Sequence, residues 1–436
     1  MKTVDANTIS EDALKSLLAR PLMEADQALQ QAVADIIAEV RQGGDAAVLD
    51  CGERFDGHRA AALMAPTEWL DLAESQLDDS LIEAIDTAIE TIGSFHEAGV
   101  PSTQRVQTAP GVRCEARWLP LDPVGLYVPA GSAPLPSTAL MLAIPARLAG
   151  CRNIVMATPP RADGRADPAV LAIARRLGID QVLVAGGAQA VAAMAYGTAS
   201  VPKVAKIFGP GNRFVAEAKR QVAMHPDGAA MDLPAGPSEL MVIADRKARP
   251  EFVAIDLLSQ AEHGPDSQVF LVTPDAELAD AVNRELERLM AQLPRAETCR
   301  HALDHGAIVL VSDLKQAAQI ANAYAPEHLI LSCRKPRRVL EDIRNAGSVF
   351  LGHWTPEALG DYLSGTNHVL PTGGWARVHA GLSVLDFMRR MTVQKANRRG
   401  LATLGPSAAR LAAHEGLDAH RMALTLRLAV LNEGTD

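Results

Sequence analysis

The chain has 436 residues, 48% hydrophobic and 22% charged, with a net charge of −10; this suits two or three globular domains rather than one. An acidic balance with no basic stripe argues against nucleic acid as the main partner. No membrane segment is expected, because the most apolar stretch, residues 139–149, is broken by Pro145 and Arg147 and is too short to span a bilayer; residues 1–15 lack the apolar core of a secretory signal, so a cytoplasmic protein is expected.

The first 120 residues read as mostly helical, with helix-period apolar positions over 26–42 and 80–98. From about Gly125 onward, short β-branched runs alternate with longer helical patterns. The runs cover 126–128, 153–157, 181–185, 204–208, 240–244, 269–273, 308–312, 328–331 and 348–351. Between them, 167–177, 251–263, 276–293 and 314–325 have helical length and composition. Strand, helix, strand, repeated this often, predicts an α/β fold with mainly parallel sheets. Nine strands exceed one ordinary sheet, so two sheets and two α/β domains are expected. The Gly- and Pro-rich stretch 232–237 is the expected crossing between them. After Asp386 the chain again reads as helical, with 407–414 and 419–430 as two short helices broken at Gly416.

Five cysteines with no CxxC spacing predict reduced thiols rather than disulfides or a cysteine-built zinc site. Histidine placement is more pointed, since ten of the twelve lie between His225 and His420. In Leu257-Leu-Ser-Gln-Ala-Glu-His-Gly-Pro, Gln260 and His263 are spaced to share one helical face. Gly264 and Pro265 would end that helix. The pair is either a ligand set for a borderline metal such as zinc or simply a polar helix end. In Ala325-Pro-Glu-His-Leu, Glu327 and His328 fall at a helix-to-strand junction, and an adjacent carboxylate and imidazole offer two proton acceptors. The loop from Gly360 to Gly374, rich in glycine and small polar groups, holds Asp361 and His368 and can approach a ligand closely. The segment from His414 to His420, taken alone, reads as a pair of surface helices. No intact GxGxxG follows a strand. Two strand-to-glycine junctions, at Gly186-Gly-Ala-Gln and Phe208-Gly-Pro-Gly-Asn, could offer backbone N–H groups to a pyrophosphate or be ordinary turns.

Taken together these segments resemble the histidinol dehydrogenase family over residues 120–425. The specific pieces are Val124-Gly-Leu-Tyr-Val-Pro, Pro134-Leu-Pro-Ser-Thr, Gly187-Ala-Gln-Ala, Ile207-Phe-Gly-Pro-Gly-Asn, Pro234-Ala-Gly-Pro-Ser-Glu, Leu258-Ser-Gln-Ala-Glu-His-Gly-Pro-Asp-Ser-Gln, Ala325-Pro-Glu-His-Leu and Gly360-Asp-Tyr-Leu-Ser-Gly-Thr-Asn-His. The resemblance implies a zinc- and NAD-dependent enzyme that oxidises L-histidinol twice to L-histidine. It also implies a homodimer with shared active sites, built on two Rossmann-like α/β domains without the usual glycine fingerprint, between a helical N-terminal segment and a helical C-terminal tail. Carried over by motif, the zinc ligands are Gln260, His263, Asp361 and His420, and the acid–base pair is Glu327 and His328. Ser238, His368 and Glu415 join the metal ligands and His328 in holding substrate, while Tyr127, Gln189 and Asn212 contact NAD.

The implied division is an arm over 1–25, a zinc-bearing α/β domain over 26–120 plus 237–378, an NAD-side domain over 121–236 and a dimerising tail over 379–436. Two positions depart from the family pattern: Ala130, where a second glycine usually stands, and Ala205, where an aspartate is common. A zinc dehydrogenase of another small alcohol is the alternative to the histidinol reading. A cysteine-nucleophile route is disfavoured, because no cysteine lies beside a plausible base. A non-catalytic binding protein is the third possibility.

Overall fold

The computed structural model describes residues 1–20, 26–130, 134–233 and 236–433. Residues 21–25 of the expected arm, Gly131, Pro234 and Ala235 of the expected crossing lie outside the described residues. The strands begin with β1 (Lys2–Asp5), β2 (Gln104–Ala109), β3 (Val112–Pro120), β4 (Val124–Tyr127) and β5 (Ile154–Thr158). They continue with β6 (Gln181–Val184), β7 (Lys206–Phe208), β8 (Ala230–Met231), β9 (Glu239–Ala244) and β10 (Gln268–Thr273). The last are β11 (Ala307–Leu310), β12 (His328–Ser332), β13 (Ser348–Leu351) and β14 (Met388–Ala396).

These strands form a parallel five-stranded sheet ordered β6-β5-β4-β7-β8 and a parallel six-stranded sheet ordered β1-β11-β10-β9-β12-β13. All nine strands expected from the sequence are present, each within a residue or two of its expected span. Their continuous apolar runs are what parallel strands need, since helices bury both faces. On the five-stranded sheet, Val124, Leu126, Ile154 and Met156 face one core and Tyr127, Val155, Ala157 and Leu183 face the other. On the six-stranded sheet, Leu240, Val242, Val269 and Leu271 point to one core and Met241, Ile243, Phe270 and Val272 to the opposite one.

Three features differ from the sequence expectation. The helices Gln27–Asp56 and Asp79–Glu97, expected beside the 237–378 half, pack instead on the two faces of the five-stranded sheet. Their apolar faces meet the helices Gly187–Tyr196 and Pro136–Leu148, which cover that sheet. The N-terminus is also not wholly helical: β1 extends the six-stranded sheet by pairing with β11. Finally, β14 occupies Met388–Ala396, where the chain directly after Asp386 was expected to be helical. It pairs with β3 over Met388 to Ala396 in an antiparallel sheet ordered β14-β3-β2. Its residues are mostly polar and exposed, so the ladder rather than an apolar face holds it, and no hydrophobic alternation announces it. The tail then forms two helices, Arg398–His414 and Asp418–Glu433, packed on each other.

Leu142 is fully buried in the helix Pro136–Leu148, between the five-stranded sheet and the helix Asp79–Glu97. Leu142→Ala should lower the unfolding free energy by about 2–5 kcal/mol, read from urea titrations.

Candidate active site

A cleft of about 1170 Å³ lies where the C-terminal edge of the five-stranded sheet meets the N-terminal edge of the six-stranded sheet. Tyr127 at the end of β4, Gly187 after β6, and Gly209 and Asn212 after β7 line one wall. Ser238 before β9, Gln260, His263, Glu327, His328, Asp361 and His368 line the other. Two sheet edges thus supply two different kinds of group, backbone-rich loops on one side and titratable side chains on the other.

Glu327 and His328 owe their place to the end of the helix Leu314–Tyr324. Ala325 closes that helix in the left-handed conformation at φ 55°, the only positive φ of a non-glycine residue among those described. Pro326 follows, and β12 starts at His328. Gly347 packs against this corner; a Cβ there would lie 2.6 Å from the Glu327 carbonyl oxygen. The backbone N–H of Glu239 donates to Glu327 Oε2 at 2.9 Å.

Around His328 stand three carboxylates. Glu327 Oε2 lies 3.7 Å and Glu357 Oε1 3.6 Å from its Nδ1, and Asp361 Oδ1 lies 3.6 Å from its Nε2. Burial alone would push the imidazole down, but the charges of Glu357, Glu327 and Asp361 reverse that and raise it to about 10. Burial raises Glu327 to about 7 and Glu357 to about 8, each held back by His328. Burial also works to raise Asp361, yet its interactions with His328 win and hold it below the usual carboxylate range.

Glu357 was not singled out in the sequence. It is present because residues 357–362 form a short helix, Glu357–Tyr362, rather than the start of an open loop. Pro356 precedes it and Glu-Ala-Leu favours it, and the i,i+4 spacing puts Glu357 and Asp361 on one face. The sequence signal was that carboxylate spacing directly after a proline.

His263 does not share a helical face with Gln260, as expected. The helix Pro250–Ala261 ends first, and the His263 N–H donates to the Gln260 carbonyl at 3.3 Å in the turn beyond. Burial lowers the His263 pKa, which favours the neutral imidazole that can ligate a metal. Gln260 is wholly buried, and neither of its side-chain amide atoms has a hydrogen-bond partner. His368 is fixed through Asp361 O at 2.8 Å and Thr138 Oγ1 at 3.3 Å. Among the described residues, His328, Glu357 and Asp361 are grouped with ligand atoms within 4.8 Å of one another. Of the four expected zinc ligands, only Asp361 belongs to that group, though Gln260 and His263 line the same cleft. His420 and Glu415 do not line it, and both are exposed in the C-terminal tail.

On the opposite wall, the Gly187 N–H donates to the buried Tyr127 hydroxyl at 3.0 Å. Asn212 caps the helix Arg213–Met224, its Oδ1 accepting from Phe214 N and Val215 N. Gln189 is buried behind the wall and donates to Asp56 Oδ2 at 3.3 Å. Asp56, which the sequence reading passed over, does line the cleft. So does Asp232, which pairs with the buried Lys219 and accepts from Gly209 N at 2.7 Å, while Lys219 Nζ donates to Gly209 O at 2.9 Å. That buried pair fixes the Gly209 turn. Of the two departures from the family pattern, Ala130 lines the cleft and Ala205 does not.

The chain can now be set beside known proteins. Residues 19–428 match the family model described as Histidinol dehydrogenase. Histidinol dehydrogenase of Xylella fastidiosa is 53% identical over 428 residues, covering 98% of this chain and 99% of that one. The enzyme of that name from Xanthomonas campestris pv. campestris is 51% identical over 430 residues, covering 99% and 100%. Among solved structures, histidinol dehydrogenase from Elizabethkingia anophelis superposes with a TM-score of 0.95 at 41% identity, with 99% of each chain covered.

One acid beside the cluster has a pH signature. Asp256 sits one turn before Gln260, and burial raises it to about 7. The folded state therefore holds a proton that the unfolded chain releases near pH 4. Stability from this group is greatest below that pH, falls as pH rises to about 7, and is flat above. Asp256→Asn should accordingly gain about 1–3 kcal/mol over wild type at pH 8 and nothing at pH 4, after allowance for partial exposure. Urea titrations of both proteins at the two pH values would show it. An equal difference at both would contradict the burial argument.

Proposed function

The chain belongs to the histidinol dehydrogenase family, and on that premise we propose how its cleft carries out the reaction. The activity is the NAD-dependent oxidation of L-histidinol to L-histidine through the aldehyde, a step of histidine biosynthesis. The observation that carries the residue assignment is the set of buried polar atoms in one cleft that make no hydrogen bond: both side-chain amide atoms of Gln260, and both ring nitrogens of His328, whose carboxylate neighbours stand no nearer than 3.6 Å. Burying such groups without partners is costly, so a ligand set that satisfies them is the economical reading.

The donor chemistry fits zinc. A neutral imidazole nitrogen from His263, a carboxylate oxygen from Asp361 and an amide oxygen from Gln260 are the N and O ligands zinc accepts. His420 would complete the set from a partner subunit. Zinc, when bound, would hold the imidazole and amine nitrogens of the substrate and so orient the reacting carbon, while NAD, when bound, takes the hydride of each oxidation. Ser238, His368 and Glu415 would contact substrate, and Tyr127, Gln189 and Asn212 the nucleotide. Gln189 is buried against Asp56, which itself lines the cleft.

His328 accepts the alcohol proton as the carbonyl forms. As a metal ligand, Asp361 would lend less of its charge to His328, and the imidazole would lie lower, nearer the range where it acts as a base. Glu327 takes a proton from the water that adds to the aldehyde, and its raised pKa makes it a stronger base than an ordinary carboxylate. If the labour is so divided, Glu327→Gln should damage aldehyde oxidation more than alcohol oxidation. His328→Ala should slow the first hydride step by about 10²–10⁴-fold. Single-turnover NADH formation from histidinol and from histidinal separates the two, and equal losses in both steps for both variants would end the division.

The shared site makes a further expectation. His420 stands on the helix Asp418–Glu433, none of whose residues is buried within its own chain. Chelation should abolish turnover and added zinc restore it. His263→Ala and His420→Ala should each be inactive alone. Co-refolded in equal amounts, they should recover about a quarter of wild-type activity, because half of the dimers are mixed and one of the two sites in each is intact. Verified mixed dimers no more active than either parent would show that His420 serves its own chain.

A further inference from the structure

Arg20, in the N-terminal arm, reaches the catalytic corner from outside the cleft. Arg20 Nε donates to Glu239 Oε1 at 2.5 Å, and its Nη2 to Glu239 Oε2 at 2.8 Å. The same Nη2 donates to the Tyr324 carbonyl at 2.9 Å. The guanidinium also lies 4.0 Å above the Tyr324 ring. Glu239 is only 3% exposed, its Oε1 accepts from Gly373 N at 2.9 Å, and its own N–H is the donor to Glu327 Oε2. The arm is anchored a second time nearby: Gln268 Nε2 donates to Ala19 O at 3.2 Å, and Gln268 Oε1 accepts from the Tyr324 hydroxyl at 2.7 Å.

These contacts fall on the two elements that set the direction of Glu327. One is the C-terminus of the helix Leu314–Tyr324, whose unpaired carbonyls and negative dipole end favour a cation. It runs straight into Ala325, whose left-handed backbone costs a non-glycine residue free energy and persists only where its surroundings impose it. The other is the start of β9, where Glu239 presents its N–H to the Glu327 carboxylate. A planar guanidinium can hold a carboxylate with two parallel bonds and still cap a carbonyl, which a lysine ammonium does less well.

We propose that Arg20 is a positioning residue for the oxidation: through Glu239 and the Tyr324 carbonyl it holds the Glu327 carboxylate at the angle needed to activate water. The proposal rests on the reading of Glu327 as the water-activating base. Arg20 does not line the cleft, so its effect falls on rate and not on binding.

The test is a double-mutant cycle in the full-length, zinc-loaded enzyme, with rates expressed per folded, metal-containing site. Arg20→Ala should slow single-turnover oxidation of histidinal by about 10–10²-fold, the loss expected when a catalytic group is misplaced by about an ångström. The KM values for histidinol and NAD should stay within about twofold of wild type. Arg20→Lys should recover only part of the rate, and soluble guanidinium, well below unfolding concentrations, should raise the rate of Arg20→Ala but not of wild type. In a Glu327→Gln background, Arg20→Ala should cost almost nothing further, because the group it positions is gone.

Losses that multiply in the double variant, or an Arg20→Ala enzyme with a normal aldehyde step beside a damaged Glu327→Gln enzyme, would overturn the positioning role of Arg20 alone. A Glu327→Gln enzyme with normal aldehyde oxidation would remove the reading of Glu327 and the positioning role of Arg20 with it. A fall in thermal stability with unchanged rate per folded site would reduce Arg20 to a structural brace.

Discussion

One imidazole buried among three carboxylates is the constraint around which this structure is arranged. His328, Glu327 and Glu357 are each less than a tenth exposed, and charges in such a place are tolerated only when they face one another. Each member's protonation depends on the others: burial drives the carboxyls up, their charges drive the imidazole up, and the imidazole draws Asp361 down. No single substitution in this cluster leaves the rest unchanged. That coupling means a change of charge at Asp361 is felt at once by His328.

The fold supplies this cluster from an unusual edge. Open α/β sheets generally bind ligands beyond the carboxyl ends of their strands. The five-stranded sheet follows that rule, offering loops after β4, β6 and β7. The six-stranded sheet instead presents the beginnings of β9 and β12, where Ser238, Glu327 and His328 stand. The N-terminal ends of neighbouring parallel strands are close and rigidly registered; His328 pairs with Leu240 of β9 and Ser348 of β13. A side chain at the first residue of a central strand is held more firmly than one on a loop. Backbone-rich loops on one wall and strand starts held in register on the other give the cleft two different kinds of surface.

Much of this was legible in the sequence because parallel strands are written as uninterrupted apolar runs, and all nine of those appeared. Gln260, His263, Glu327, His328, Asp361 and His368 were found as motifs and do line one cleft. What escaped was what the local sequence does not encode. The strand β14 has no apolar face to signal it and exists through its partner β3. Glu357 was not singled out, and only the fold brings its carboxylate to 3.6 Å from the His328 ring. Asp56, Asp232 and Arg20 act through contacts 133, 23 and 219 residues away along the chain, and no periodicity marks pairs so distant. The placement of the two N-terminal helices failed for a similar reason: an amphipathic helix announces that it will pack, not against which sheet.

The tail raises the last question of packing. Leu417, Met422, Leu426 and Val430 on and before the helix Asp418–Glu433 are all exposed, and that helix touches chiefly its neighbour Arg398–His414. Isolated helices of this length are marginal in water, and most helices in proteins draw their stability from an apolar face that is covered. A two-helix hairpin with its apolar residues facing outward is therefore an incomplete unit. Covering it with the same surface of a second copy would satisfy both hairpins at once, as two-fold symmetry requires. His420 lies within the segment that such contact would carry onto the neighbour. On the proposed reading of Gln260, His263 and Asp361 as zinc ligands, one association would both cover these four apolar side chains and bring His420 of the neighbouring copy to that set.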